Sequence, residues 1–403
     1  MASVEARSTL RAASETQVAE AVAWALSARA PLELVSHGSK RSLGRPVEAA
    51  GVLDLSGLAG VTLYEPDELV LSCGPGTPLV ELEDLLAGRR QRFAFEPPDL
   101  GPLLGHAPGQ ASIGGVVAGN LSGPRRIQAG AARDHLLGLR GVNGRGETFK
   151  TGGRVMKNVT GYDLCKLLTG SHGTLAAFTM LTLKVLPSAE REATLVLHGL
   201  APDDGLALLR RALGGPYDVS GAAHLPAGLA GTIGLDQPES ATLLRIDGFA
   251  PSVDDRLSSL RDLAREGEQT VLDDEASAAL WRGIRDVQPF VGQEGIVWRL
   301  SVTPTEAAVA AERIAGRHGG QVFFDWGGGL IWLLLDEVAD DTVRGAASAA
   351  GGHATLIRAP EPVRSTVPVF QPQPPALAAL TRRVKQGFDP QSVLNRGRMW
   401  AGV

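Results

Sequence analysis

Small residues, mainly glycine, serine and alanine, gather in four segments of the N-terminal half, residues 36–44, 110–120, 130–134 and 170–174. Because such segments lack bulky side chains, their backbone can approach a ligand closely and turn its amide hydrogens toward phosphate oxygens. In the second segment, Ser112 can cap a helix whose first turn is nearly bare, and free N–H groups at a helix start attract anions. Four segments exceed what turns alone need, and they predict one long, phosphate-bearing ligand. Tight packing of a small-residue helix against a sheet would explain the second segment equally well by itself.

Other ligand classes lack their sequence signatures. No G-x-G-x-x-G motif follows a strand pattern and no Walker A lysine is present, which argues against Rossmann and P-loop sites. Two cysteines, Cys73 and Cys165, are too few and too distant for a zinc or iron–sulfur site, so we expect no metal. With 39 Lys+Arg against 44 Asp+Glu, a net charge of -5 and no block of like charge, nucleic acid is not an expected partner.

The hydropathy pattern gives an expectation for location. No stretch reaches the roughly 20 apolar residues of a membrane span. The first 16 residues lack the apolar core of a secretory signal. We therefore expect a cytoplasmic protein without a membrane span.

Apolar periodicity predicts the elements that position the small-residue segments. In the N-terminal half it predicts helices at 15–28, after 78 and at 158–168, strands at 32–35, 52–55, 61–64 and 69–73, and a hairpin of 136–142 and 148–151 turning at Asn143-Gly144. From 194 to 357 strands and helices alternate, which favours helices packed on an antiparallel sheet. The Pro-rich stretch 360–375 predicts an extended connector. The expected domains are residues 1–188, 189–360 and 361–403.

Several blocks of the sequence resemble one family. These blocks are residues 96–98, 118–126, 133–138, 153–164, 170–175, 325–328 and 395–399. They are similar to the smaller FAD-binding subunit of bacterial glycolate oxidase, within the vanillyl-alcohol oxidase superfamily. The resemblance implies an α+β fold, with a two-lobed PCMH-type FAD-binding domain and a ferredoxin-like α+β cap domain, and FAD between the two domains.

The resemblance also implies which residues contact a non-covalently bound FAD. The pyrophosphate and ribityl chain are expected against Ser36, His37, Gly38, Ser39, Lys40, Ser112, Ile113, Gly114 and Gly115. The remaining expected contacts are Pro98, Gly119, Asn120, Gly123, Arg126, Asp134, Gly170, Ser171, Gly173, Thr174, Phe178, Thr179 and Asn395. His37 lies inside the first loop, where a hydrogen-bonding role is favoured over a covalent flavin bond.

Candidate catalytic residues are few. Oxidation of a 2-hydroxy acid needs a cation for the carboxylate and a hydrogen-bond partner for the hydroxyl. Arg299, Arg398 and Lys157 are the candidates, and ordinary salt bridges or packing would explain each of them as well. No histidine follows His353, so the His-Glu pair of related D-2-hydroxyacid dehydrogenases is missing.

The expected function is that of an FAD-containing redox subunit that oxidises glycolate, or a similar small 2-hydroxy acid, to the 2-oxo acid. The resemblance implies a complex with a larger FAD subunit and an iron–sulfur subunit, through which the chain could sit at the inner membrane. An assembly subunit with structural or absent FAD is one alternative. A stand-alone FAD-linked oxidase or dehydrogenase with another substrate is the other.

Overall fold

Four β-sheets organise residues 8–154, 161–235, 238–264 and 267–403, which are the residues that the computed structural model describes. Three of the sheets belong to an N-terminal lobe that ends at residue 187. Its strands are β1 (Ser8–Arg11), β2 (Leu32–Val35), β3 (Gly51–Asp54), β4 (Val61–Glu65), β5 (Val70–Cys73), β6 (Gln91–Arg92), β7 (Leu136–Asn143), β8 (Thr148–Gly152), β9 (Ala176–Lys184) and β10 (Leu186–Pro187). Its helices are α1 (Glu15–Ala28), α2 (Leu79–Ala87), α3 (Ile113–Gly119), α4 (Arg126–Ala129), α5 (Ala132–His135) and α6 (Leu164–Leu168).

A parallel sheet of order β1-β3-β2 packs against α1. Ser14 caps the start of the helix, because its hydroxyl accepts a hydrogen bond from the Gln17 amide. The Ser14 half of the predicted capping box is therefore present, but the Gln17 side chain accepts from Ala13 N and not from the N-cap Ser14 N. Val18 and Val22 of the helix lie against the sheet and are fully buried.

The second sheet is antiparallel, with the order β4-β5-β9-β7-β8. Its β7–β8 hairpin is confirmed, but the turn differs from the two-residue Asn143-Gly144 turn. The Asn143 amide bonds to Glu147 O, and Gly146 takes the left-handed conformation at φ +79°. Gly144 is needed for another reason, because a Cβ there would lie 2.3 Å from the side chain of Asp389 in the tail.

Residues 191–358 form a cap lobe around one eight-stranded antiparallel sheet of order β14-β11-β13-β12-β16-β17-β15-β18. Its elements are β11 (Arg191–His198), α7 (Pro202–Leu213), β12 (Gly221–Leu225), β13 (Ala241–Gly248), α8 (Ala250–Leu263), β14 (Gln269–Asp273), α9 (Asp274–Arg285), β15 (Ile296–Ser301), α10 (Ala307–His318), β16 (Gln321–Asp325), β17 (Leu330–Leu335), α11 (Asp340–Ala349) and β18 (His353–Arg358). Two βαββαβ units, each with the 4-1-3-2 strand order of a ferredoxin-like fold, meet through β12 and β16. The expected α+β fold class is confirmed, and the ferredoxin-like unit occurs twice. The domain boundaries at 188 and 360 stay a prediction.

A buried ionic network joins the two lobes. Glu96 of the N-terminal lobe accepts hydrogen bonds from the Arg125 amide at 2.7 Å and from the Arg245 side chain of the cap at 2.8 Å. Arg125 in turn donates to Asp247 of the cap at 2.8 Å. Burial opposes ionisation of Glu96, but Arg245 and Arg125 hold its pKa down at about 2. Removing one member would leave an uncompensated buried charge, so the network holds the lobes together.

The tail returns to the N-terminal lobe. It contains α12 (Glu361–Thr366) and α13 (Pro375–Phe388), so the predicted extended connector at 360–375 is partly helical. The Arg364 side chain anchors α12 by donating to Gly44 O at 2.9 Å. Beyond α13, Leu394 pairs with Leu32 in parallel, which adds the tail to the edge of the three-stranded sheet. The predicted helix 158–168 is shorter in the described residues, where α6 begins at Leu164.

Candidate functional site

A cleft of about 860 Å³ of empty space, partly open to solvent, lies in the N-terminal lobe. It is lined by residues 34–41, 112–119 and 172–178, together with two residues of the tail. The lining residues are Leu34, Val35, Ser36, His37, Gly38, Ser39, Lys40, Arg41, Leu43, Leu55, Pro75, Ser112, Gly114, Gly115, Ala118, Gly119, His172, Gly173, Ala176, Phe178, Asn395 and Arg398. Three of the four small-residue segments therefore converge. No described cap residue lines the cleft, so its walls come from the N-terminal lobe and the tail.

The first loop, residues 36–44, offers the strongest anion-binding feature of the cleft. The backbone N–H groups of residues 36–40 donate no hydrogen bond within the described part of the chain. Gly38 has φ +80°, a conformation that L side chains rarely adopt. The hydroxyls of Ser36 and Ser42 are buried and have no partner in the same part of the chain. Consecutive free amides of this kind form a concave surface that binds phosphate oxygens.

Two arginines and one buried glutamate fix the position of the first loop. Arg41 and Arg398 both donate to the carboxylate of Glu33, at 2.5 Å and 3.0 Å for their Nη2 atoms. Arg398 also donates to the carbonyl oxygens of Arg41 and Leu43. Burial lowers the pKa of Arg398 to about 10, so its guanidinium remains charged at neutral pH. Arg398 holds the loop in place, because its donors are engaged by the loop and by Glu33. Its catalytic role stays a prediction.

The segment 112–119 differs from the sequence expectation in one respect. Its first amides are engaged, because Ile113 N bonds to Thr77 O, Gly114 N to Pro75 O, and Gly115 N to the hydroxyl of Ser112. Gly114 serves packing, since a Cβ there would lie 2.6 Å from Pro75. Gly115 and Gly119 line the cleft. The helix start therefore contributes close approach rather than free donors.

Lys40 supplies positive charge to the cleft. Its ammonium lies beside Gly115, 3.5 Å from where a Cβ on that glycine would stand. It makes no hydrogen bond or ion pair with a described residue. Burial lowers the pKa of Lys40 to about 8, and Asp99 partly offsets the shift. The ammonium is thus mostly protonated at neutral pH and available to a phosphate.

The third wall of the cleft depends on Asn395. Its side-chain oxygen accepts from Leu34 N at 2.8 Å, and its amide nitrogen donates to His172 O at 2.7 Å. Gly173 has φ +70°, and a Cβ there would lie 2.6 Å from the Asn395 amide nitrogen. Asn395 therefore ties the tail to both β2 and the loop 170–174.

His172 is a lining residue that the sequence reasoning passed over. Its ring lies edge-on to Phe370 at 4.9 Å between centroids. Burial and the nearby Arg398 lower the pKa of His172 to about 4, so the ring is neutral at pH 7. The signal was its place between Ser171 and Gly173, two predicted site residues.

Among the next predicted FAD contacts, Phe178 faces the cleft. The others lie in the walls behind it, and they are Thr179, Gly170, Ser171, Thr174, Ile113 and Pro98. Phe178 and Ala176 face the cleft, whereas Thr179 points to the opposite side of β9 and donates to Glu15. This follows from the two-residue period of a strand. Gly170, Ser171 and Thr174 shape the third wall without lining the cleft. Ile113 and Pro98 are buried.

Four further predicted contacts lie away from the cleft. Asn120 ends α3 at φ +48° and accepts from Arg133 N. Asp134 accepts from Ala131 N at the start of α5. Gly123 packs at the lobe interface, where its carbonyl accepts from Trp326 Nε1, and Arg126 lies over the Trp326 ring. Of the catalytic candidates, Arg299 also lies over Trp326, and Lys157 falls outside the described residues.

Comparisons with known proteins agree with this architecture. A family described as an FAD binding domain matches residues 6–152. The chain is 32% identical over 383 residues to "Glycolate oxidase subunit GlcE" of Escherichia coli (strain K12), covering 95% of this chain and 96% of that protein. It is 31% identical over 205 residues to "Glycolate oxidase subunit GlcD" of Bacillus subtilis (strain 168), covering 51% of this chain and 39% of that protein.

Solved structures share the fold at low identity. A 4-ethylphenol oxidase from Gulosibacter chungangensis superposes with a TM-score of 0.73 at 15% identity, covering 99% of this chain and 91% of that one. A p-cresol methylhydroxylase gives a TM-score of 0.68 at 14% identity, covering 97% and 88%. These likenesses establish the fold alone.

The residues of the cleft fit a flavin dinucleotide. The free amides of residues 36–40 and the ammonium of Lys40 match the two negative charges of a pyrophosphate. Leu55 and Phe178 give the same cleft an apolar wall suited to aromatic rings. No helix in the described ranges is long and apolar enough to cross a bilayer. Within those ranges no cluster of three His, Cys, Asp or Glu side chains could hold a metal ion.

Proposed function

The chain belongs to the family of FAD-linked glycolate oxidase subunits, as an FAD-dependent oxidoreductase, and we propose that it oxidises glycolate or a similar small 2-hydroxy acid within a multi-subunit complex. The free amides of residues 36–40, facing a cleft that also holds Lys40, are the observation that carries the cofactor assignment. Bound FAD would supply the acceptor for the hydride of the acid's C–H bond. The substrate assignment rests on the 32% identity to a glycolate oxidase subunit along almost the full length of both chains.

The described residues would share the work of holding the dinucleotide. The first loop and Lys40 would bind the pyrophosphate, and Arg41 and Arg398 would keep that loop in place through Glu33. Asn395 would hold the third wall against it. These groups would bind and orient the cofactor.

Electrons would leave the chain through partner subunits. The two cysteines, Cys73 in β5 and Cys165 in α6, are buried and do not supply the three or four ligands of an iron–sulfur cluster. We infer that a larger FAD subunit and an iron–sulfur subunit accept them. In the cell, the chain would then be cytoplasmic, or held at the inner membrane by those partners.

Two observations favour a second candidate function. No described cap residue lines the cleft, and the donors of Arg398 are engaged by the first loop. An assembly subunit whose FAD is structural would have these features. Anaerobic addition of glycolate to the purified protein separates the two functions: bleaching of the yellow colour supports the redox subunit, and a yellow protein that stays unbleached supports the assembly subunit.

The cofactor assignment itself is tested with Lys40→Met. Loss of a charge-assisted contact to phosphate should weaken FAD binding by roughly 10- to 100-fold, measured by the fluorescence of released FAD. Lys150→Met is the matched control, because Lys150 is exposed on β8 and away from the cleft. Unchanged FAD affinity in Lys40→Met, or a colourless wild-type protein that releases no FAD on denaturation, would remove the assignment.

A further inference from the structure

Two arginines without carboxylate partners meet at the boundary of the two lobes. Arg126 begins α4 in the N-terminal lobe, and Arg299 lies in the middle of β15 in the cap. Their guanidinium carbons lie 4.6 Å and 5.2 Å from the ring centre of Trp326. Neither guanidinium makes a hydrogen bond or an ion pair with a described residue. Each lobe therefore brings one unpaired cation to the same indole ring.

The cap sheet determines the direction of Arg299. In the β-ladder it stands between Trp332 of β17 and Thr355 of β18, and such cross-strand neighbours point to the same face of a sheet. The alternate residues of β15, Trp298 and Leu300, belong to the core beneath the cap helices. Arg299 thus points away from those helices and toward the N-terminal lobe.

The charges around this pair do not balance. Burial and the charge of Arg126 lower the pKa of Arg299 to about 10, and both arginines also act on His353 at the start of β18. Burial and Arg133 lower the pKa of Arg126, and Asp134 partly offsets that shift.

Asp325 is the acid that acts on Arg299, but it is buried and its carboxylate accepts a hydrogen bond from Trp326 N. Stacking on an indole face leaves the N–H edges of a guanidinium free to donate. A bound anion would therefore stabilise these two half-buried cations and accept from their free donors.

We propose that Arg126 and Arg299 together bind the carboxylate of a small organic acid over the indole ring of Trp326. A carboxylate matches the planar donor fork of a guanidinium, and one acid can accept from both arginines. The occupant is small, because the Glu96–Arg245 network closes the lobes nearby. The site rests on the proposed function only for naming the class of acid, a small 2-hydroxy acid such as glycolate.

The test is calorimetric titration of the purified holoprotein with glycolate and, as a non-oxidisable acid, oxalate. Binding of the acids and at least tenfold weaker binding of methyl glycolate, which lacks the charge, are expected of the wild type. Arg126→Met and Arg299→Met should each weaken acid binding at least tenfold. Arg89→Met and Arg313→Met are matched controls, because these arginines are exposed on the same two lobes, and they should change affinity less than twofold.

The outcomes separate this site from the proposed function. Equal affinity for the acid and its ester, absence of acid binding by the wild type, or unchanged affinity in both arginine variants would overturn the site. The comparison of acid and ester needs no variant, so misfolding of a variant cannot hide the result. FAD content is measured on the same samples. A colourless protein that binds acid through both arginines would keep this site and refute the proposed function.

Discussion

Replacing Lys385 by Met should release the tail from the cleft. The ammonium of Lys385 donates to Asp389 at 2.7 Å, to Thr174 O at 2.6 Å and to Leu394 O at 3.0 Å, and both charged side chains are at most 2% exposed. Removing one partner of such a buried pair costs about 3 to 5 kcal/mol, because the other charge remains buried without compensation. The equilibrium constant for local opening of the tail should therefore rise by roughly 10² to 10⁴.

Hydrogen exchange of the tail measures this directly. The amides of Leu32 and Asn395 bond to Val393 O and Leu32 O, so their exchange reports undocking of the tail. In Lys385→Met both should exchange faster by that factor, up to the limit set by global unfolding. FAD should also be lost more readily, because Asn395 would no longer hold the third wall of the cleft.

Two further variants sharpen the prediction. Adding Asp389→Asn to Lys385→Met should recover part of the protection, because the amide is uncharged and its oxygen can still accept from Val393 N. Lys166→Met is the matched control, since Lys166 and Asp163 form an exposed pair worth less than about 1 kcal/mol. An exchange rate in Lys385→Met within threefold of wild type, or no recovery in the double variant, would refute the reasoning.

Three other predictions concern the cleft and the core. Gly173→Ala should lower the FAD content of the purified protein, because φ +70° strains alanine and its Cβ would lie 2.6 Å from the Asn395 amide nitrogen. The measurement is the ratio of absorbance at about 450 nm, from the flavin, to that at about 280 nm, from the protein. An unchanged ratio would contradict the prediction. Burial lowers the pKa of His224 to about 4, so the folded state binds fewer protons than the unfolded state between pH about 6.5 and 4, and stability should fall as the pH is lowered through this window. His224→Gln should flatten that fall in thermal midpoints measured against pH. Burial raises the pKa of Cys73 to about 12 and of Cys165 to about 11, so neither thiol should react with iodoacetamide at pH 8 until denaturant is added, as mass spectrometry would detect.

Local chemistry in the sequence predicted much of the secondary structure. The N-cap at Ser14, the β7–β8 hairpin and the alternation of strands and helices in the cap all rest on interactions between residues near each other in the chain. The same reasoning failed where a distant contact decides the conformation. The connector 360–375 contains α12, whose Arg364 is anchored on Gly44 more than 300 residues earlier in the chain.

The candidate site shows the same division. Residue types and spacing predicted that four segments, 36–44, 110–120, 130–134 and 170–174, meet. Residues of three of them line one cleft, whereas 130–134 does not. Residue types and spacing did not reveal which amides remain free. The amides of 113–115 donate to Thr77, Pro75 and Ser112, whereas those of 36–40 have no acceptor among the described residues. This difference depends on neighbours that only the folded chain supplies.

The sequence by itself determined the family, the α+β class and the presence of backbone-exposing loops, because these follow from local residue patterns. Tertiary structure alone decided that no described cap residue lines the cleft, that Arg398 positions the first loop, and that Arg126 meets Arg299 over Trp326. The physical reason is that charges and donors are assigned by proximity in space. Arg126 and Arg299 are 173 positions apart in the chain, and only the packing of one lobe on the other brings both to one indole ring.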